Sequence, residues 1–286
     1  MCSSYTLPRR HPERNLLILG NGLRYETETG TPDVTFIFNG LGAVDARSQE
    51  VNVQMTRDAH GRHQLVLRSS GNPDGLADLE HRLNQMLDEH AQTLGCLPSS
   101  GYALVHGLWS SHEDVMVDGI WFNPSLTRPA DLGQRKPLPQ AFHNWLGERR
   151  TTFQRWLTKP PIDWSWPLIN GHTPQDAQAG TAAPQGRIHH TQLLDAMLRS
   201  TRTGEMHELE EITQASIEPS PELLQASDKT IQLEQMFHLH RSQSNTKNWW
   251  LYDTHASTVI EQIAERLRHA QYLAFSQAAL KPKAAD

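Results

Sequence analysis

Asn15-Leu16-Leu17-Ile18-Leu19-Gly20-Asn21-Gly22 is the stretch on which the fold turns. A continuous apolar run that stops at glycine reads as a strand buried on both faces, the kind found in parallel sheets. Val34-Thr35-Phe36-Ile37-Phe38 repeats the pattern and stops at Asn39-Gly40. Val51–Met55 and Gln64–Leu67 are weaker strand candidates, and Asp114–Val117 is another that ends at Asp118-Gly119. Among these runs, Leu76, Leu79, Leu83, Leu87 and Leu94 fall near helical spacing between Pro73 and Gly95. Pro98-Ser99-Ser100-Gly101 then opens a second helix that runs to about Trp109. Strands alternating with helices predict an α/β fold: a Rossmann-like open, mostly parallel sheet with helices on both faces.

From Asn123 to Arg187 the chain changes character, crowding prolines with Trp145, Trp156, Trp164 and Trp166 around one expected helix near Gln140–Leu157. The composition of 173–186 is that of a flexible linker. A helix is expected at His190–Arg199, and Met206-His207-Glu208-Leu209 reads as a last sheet strand. At the C-terminus, Ser257–Ala279 places Val259, Ile263, Leu267, Ala270 and Leu273 on one face of an amphipathic helix.

Composition narrows the function. The 286 residues carry 26 basic and 32 acidic side chains, a formal charge of −6, so no nucleic-acid partner is expected. No apolar run approaches the roughly 18 residues of a membrane span. The start, Met1 to Arg14, has charges but no apolar stretch behind them, unlike a secretory signal. Two cysteines, Cys2 and Cys96, make no disulfide framework and point to a reducing, cytoplasmic compartment. The polar face of the last helix mixes Glu261 and Glu265 with Arg266, Arg268 and His269. It is expected to pack on the domain or on a second copy, with peripheral contact to an inner membrane as the remaining option.

Gly20-Asn21-Gly22 is half of a dinucleotide fingerprint, because Tyr25 stands where the third glycine belongs. An ordinary tight turn explains the triplet equally well. Asn21 and Asn39 have amides suited to a cytosine edge or a sugar hydroxyl, and both also suit turns. Ser99 or Ser100 is either an N-cap or, with Gly101, part of an anion seat at a helix N-terminus. The sequence has no P-loop, no G-x-S-x-G, no zinc-spaced cysteine pair and no D-x-D. Adjacent histidines His189-His190 point in different directions on a helix, and no third ligand is evident, so no metal is expected. At a helix start, with Asp195 further on, His190 is a candidate general base.

The segment Pro98-Ser-Ser-Gly-Tyr-Ala-Leu-Val-His-Gly-Leu-Trp-Ser-Ser-His-Glu-Asp-Val-Met-Val-Asp-Gly-Ile-Trp-Phe122 resembles the small sialyl motif of the animal sialyltransferases. The bacterial CMP-sialic acid-dependent sialyltransferases have a looser form of it. They also begin with a strand into Gly-Asn-Gly and a second strand ending in Asn, as Phe36-Ile-Phe-Asn39 does here. Both groups share a histidine followed after a short interval by a carboxylate, and His190-Thr-Gln-Leu-Leu-Asp195 fits. This chain departs from the animal pattern at His112, where a disulfide cysteine stands, and from the bacterial one at Trp121-Phe122-Asn123-Pro124, which lacks the phosphate-holding tyrosines.

The resemblance implies one GT-A-variant glycosyltransferase domain over 1–286. Residues 1–122 would bind the nucleotide, 123–187 would form a lid or acceptor region, and 188–286 would complete the core. The implied reaction is inverting and metal-independent, with no cofactor. It moves an acidic keto-sugar, sialic acid or Kdo type, from its CMP ester to a glycan or other hydroxyl acceptor, as in bacterial surface glycan synthesis. His190, or His189 after a one-residue shift, would take the acceptor proton, with Asp195 orienting the ring. Gly20, Asn21, Gly22, Asn39, Ser99, Ser100 and Gly101 would bind the nucleotide sugar, and His172 would stand in for the missing tyrosines. A catalytically silent nucleotide sensor or assembly protein of the same fold stays open, as does a Rossmann-like methyltransferase.

Overall fold

In a computed structural model the chain forms two compact units. The structure describes residues 15–22, 31–40, 48–71, 75–111, 115–123, 125–133, 142–159, 162–164, 166, 186–239 and 248–280. The first unit spans Met1–Gln85, Leu104–Ile120 and Ile162–Trp166; the second spans Met86–Ala103, Trp121–Pro161 and Pro167–Asp286.

The first unit is built on a six-stranded sheet of order β4-β3-β2-β1-β5-β6. Its strands are β1 (Leu16–Leu19), β2 (Val34–Phe38), β3 (Gln49–Arg57), β4 (His63–Ser69), β5 (Val115–Asp118) and β6 (Asp163–Trp164). All pairings are parallel except the β3–β4 hairpin. Every residue of β2 is buried, as a strand covered on both faces requires. The hairpin turns at Asp58, whose carboxylate accepts the amides of His60 and Arg62, with Gly61 at φ 77. The outer strand β4 does not leave its edge bare. Asn84 and Glu80 of α1 (Leu76–Leu94) accept from the Leu65 and Leu67 amides, and Asn84 donates back to Leu65 O. The sheet is therefore α/β, mostly parallel and consistent with a Rossmann-like fold. β6 comes from within the Pro/Trp-rich stretch. Trp164 is buried there, donates to Ile120 O and packs on Trp109 and Trp166.

Two aspects of this sheet bear on function. The chain runs from β1 to β2 on one side and places β5 on the other, so the order reverses between β1 and β5. Ligands of open α/β sheets sit at the carboxyl ends of the strands at such a switch point. In addition β1 and β2 are neighbours, so Asn21 and Asn39 leave adjacent strand ends.

The second unit is helical: the C-terminal turns of α1, the start of α2 (Ser100–Ser111), then α3 (Trp145–Thr158), α4 (His190–Thr203), α5 (His207–Ile212), α6 (Asp228–Gln235) and α7 (Thr254–Ala279). A two-stranded parallel ladder, β7 (Arg187–Ile188) with β8 (Ser216–Ile217), precedes α4 and a 3-10 turn at Pro221–Leu224. The Met206–Leu209 strand expectation is corrected: the residues open α5. Leu209 and Ile212, at helical spacing, are buried, while Glu208 on the outer face pairs with Arg199. α7 starts at an Asp253 cap and lays Val259, Ile263, Leu267 and Ala270 into the core of this unit, with Leu273 only partly covered. Among the described residues no helix is long and apolar enough to cross a membrane.

Candidate functional site

At the switch point the two strand ends touch. Gly20 N donates to Asp118 O at 2.7 Å, and Gly22 N to Gly119 O at 2.9 Å. A Cβ on Gly20 would lie 2.2 Å from Gly119 O, and Gly119 itself has φ +67. Both glycines thus serve backbone-to-backbone approach. Asn21, Gly22, Asn39 and Gly40 are exposed at the same end of the sheet. Asn39 takes φ 56, a turn conformation asparagine tolerates, while Gly40 N donates to Asn52 Oδ1 at 3.0 Å. The triplet therefore serves its turn reading, and its one side chain, the Asn21 amide, stays exposed.

The start of α2 holds a carboxyl group, and it is the protein's own. Glu148 accepts from Ser99 N at 2.6 Å and from Ser99 Oγ at 2.9 Å, while Tyr102 N donates to Ser99 Oγ at 3.1 Å. Ser99 is the N-cap, and its donors face a carboxylate that is itself buried. Burial pushes the Glu148 carboxyl up, against the opposing pull of His143 and the Ser99 bonds. Ser100 and Gly101 are half-buried in the first turn. Nearby, the free thiol of Cys96 is pushed up to about 12 by burial and by the Glu148 and Glu234 carboxylates, which leaves it unreactive at neutral pH.

The most unusual group lies where β7 enters α4. His189 is the N-cap in an extended conformation, φ −80 and ψ 148. Its backbone N–H is accepted by Gln192 Oε1 at 2.8 Å, and its Nδ1 lies 2.9 Å from Thr191 Oγ1. His190, the first helical residue, is fully buried, and among the described residues neither of its ring nitrogens has a hydrogen-bond partner. The two rings lie 4.1 Å apart, tilted by 43°. Their divergence, expected for two helical neighbours, is corrected: a cap residue lies outside the helical rotation of ~100° per residue, so its ring is free to turn alongside the next one. Both face Glu222 of the 3-10 turn, with His190 Nε2 at 3.4 Å and His189 Nε2 at 4.0 Å from Oε2. Burial lowers the His190 pKa, His189 adds to this, and Glu222 and Glu218 oppose it.

Asp195 is exposed on α4, turned well away from His190 by the helical rotation. The carboxylate beside His190 is Glu222. His172 lies outside the described residues, as do His112 and the linker up to residue 185. Sequence reasoning missed Glu222 and Glu148. Ser220-Pro221-Glu222 does carry a helix-start signal, but nothing in it names a partner.

Comparison with known proteins finds no matching family model, no matching curated protein and no matching solved structure.

Proposed function

We propose that this chain is an inverting transferase that moves an acidic keto-sugar from its CMP ester to an acceptor hydroxyl. In this reading it is a GT-A-variant enzyme whose Pro/Trp-rich stretch includes a lid. The observation that carries the reading is the α4 start, where a buried imidazole, with no hydrogen-bond partner among the described residues, stands beside an exposed carboxylate. A buried polar ring left unbonded costs stability, so its retention favours a role in chemistry. We assign activation of the acceptor hydroxyl to this group in the helical unit; taken by itself, the sheet unit offers Asn21 and Asn39, exposed at the carboxyl ends of β1 and β2, to a nucleotide. The order of sequence motifs supports the choice of cytidine. A phosphate monoester leaving group is acidic enough to depart without a metal-held diphosphate.

The test is a thermal-shift series with CMP, UMP, GDP, NAD and S-adenosylmethionine. CMP at ~100 times its Kd should stabilise by roughly 2.7 kcal/mol, with the others flat. A shift with another nucleotide and none with CMP would sink the assignment. With a CMP-sugar donor, His190→Ala should lower turnover by about 10²–10⁴-fold and leave CMP affinity unchanged. Glu148 filling the expected phosphate seat tells against donor activation at the α2 start and leaves a second reading, a silent nucleotide sensor of the same fold. CMP binding with neither transfer nor donor hydrolysis would select it.

A further inference from the structure

We propose that His189, His190 and Glu222 form a binding site for one divalent transition metal of the zinc type. Ligand atoms of all three lie within 4.8 Å of one another. Zinc held tetrahedrally by nitrogen and oxygen, with bonds of ~2.0–2.2 Å, sets neighbouring ligand atoms about 3.3 Å apart. His190 Nε2 and Glu222 Oε2 already stand 3.4 Å apart, and His189 Nε2 needs only a small rotation from 4.0 Å. The His189 and Glu222 side chains reach solvent, so they are free to make that adjustment.

A second observation points to a ligand. His190 is wholly buried, aims Nε2 at the carboxylate, and hydrogen-bonds to no described residue through either nitrogen. A metal on Nε2 would give this atom the partner that no described residue supplies. The supporting contacts are in place as well. His189 Nδ1 accepts from the Thr191 amide at 3.4 Å and lies 2.9 Å from Thr191 Oγ1, contacts that hold the ring with Nε2 on the Glu222 side. Two imidazoles and one carboxylate are the donor set of sites that keep a fourth position open, and the exposed Glu222 sets that position toward solvent. The ladder explains how the set assembles. Ile188 pairs with Ile217 in parallel, so the chain leaves both strands at the same end, toward His189 on one side and Glu222 on the other. The inference replaces the expectation of a metal-free α4 start. It rests on the transferase reading only in suggesting that the open position takes the acceptor hydroxyl.

The experiment uses the full chain, stripped with a chelator and dialysed, then titrated with Zn²⁺ by calorimetry and with Co²⁺ by visible absorption. One equivalent should bind, and the Co²⁺ form should show the intense bands of tetrahedral coordination. Glu222→Gln, a surface change that spares the core, should weaken Zn²⁺ more than about 100-fold, beyond the range for outer-shell changes. His190→Ala should do the same. His207→Ala, at an exposed histidine paired with Glu211, should change nothing. Absent stoichiometric binding, or affinity that survives Glu222→Gln in a chain with native circular dichroism, overturns the site. CMP thermal shift, measured on the same samples, keeps the two readings separate. Metal failure with a retained CMP shift sinks only this inference, and metal binding without any nucleotide response sinks only the transferase.

Discussion

The two units bury different chemistry. In the sheet unit the described buried side chains are aliphatic and aromatic, with Thr35 and His106 the polar exceptions. In the helical unit the buried set includes Arg128, Glu148, Arg149, Arg150, Glu234 and Arg268. Arg150 meets Glu234 at 2.6 Å, and Asn144 donates to the same carboxylate. Arg149 is bonded to Gln271, Asn123 and the Arg268 carbonyl, and its pKa is driven well down by burial and by the Arg268 charge. Burial holds Arg268 at about 10 against the pull of Glu261. One unit is thus held by non-directional burial, which tolerates any apolar filling of the right volume. The other depends on named partners, and a partner lost leaves a charge stranded.

The largest effect should follow from stranding such a charge. Glu234→Ala removes the partner of Arg150 and should cost about 3–5 kcal/mol in urea unfolding. Replacing the pair together, Arg150→Met with Glu234→Leu, should restore most of that. A single loss under about 1 kcal/mol would erase the contrast between the units. In the sheet unit, Gly20→Ala must push the β1 and β5 backbones apart and should cost about 1–3 kcal/mol. Hydrogen exchange should then speed up at β1 and β5 amides and stay unchanged along α7.

A smaller effect, with a pH signature, belongs to Ser99 and Glu148. Ser99→Ala should cost about 1 kcal/mol through the lost cap. Because the folded-state pKa of Glu148 is raised, its contribution is fully present below the unfolded value of 4.5 and is lost as pH climbs through the folded value. Glu148→Gln removes that titration, so the variant should gain on the wild type as pH rises, read from paired urea midpoints. A gap independent of pH would show that Glu148 is not desolvated. The smallest effect is expected at Asp195→Asn, within about 0.5 kcal/mol, since that side chain is exposed.

The same contrast explains what was legible in the sequence. β1, β2 and the helices at Leu76–Leu94 and His190–Thr203 could be read because continuous runs or periodic leucines announce burial locally. β6 escaped because two residues, Asp163 and Trp164, carry no periodicity; an indole in the core decides their place. The Leu209 segment misled because a short apolar–polar alternation serves strand and helix alike. At the α4 start the sequence offered His189 and His190 but not Glu222, because a ladder between distant segments brings it there. Ser99 was legible as a cap, yet its partner lies on another helix.

Glu148 can also be viewed as a ligand on a tether. A carboxylate carried into place by the fold is presented to the α2 start at an effective concentration that even a short flexible linker sets in the millimolar range. An outside phosphate competing for the Ser99 donors must therefore exceed that concentration or bind correspondingly tighter, and it must also leave the displaced carboxylate somewhere to go. The seat is thus shut to dilute anions, an occupancy rule written by a single side chain.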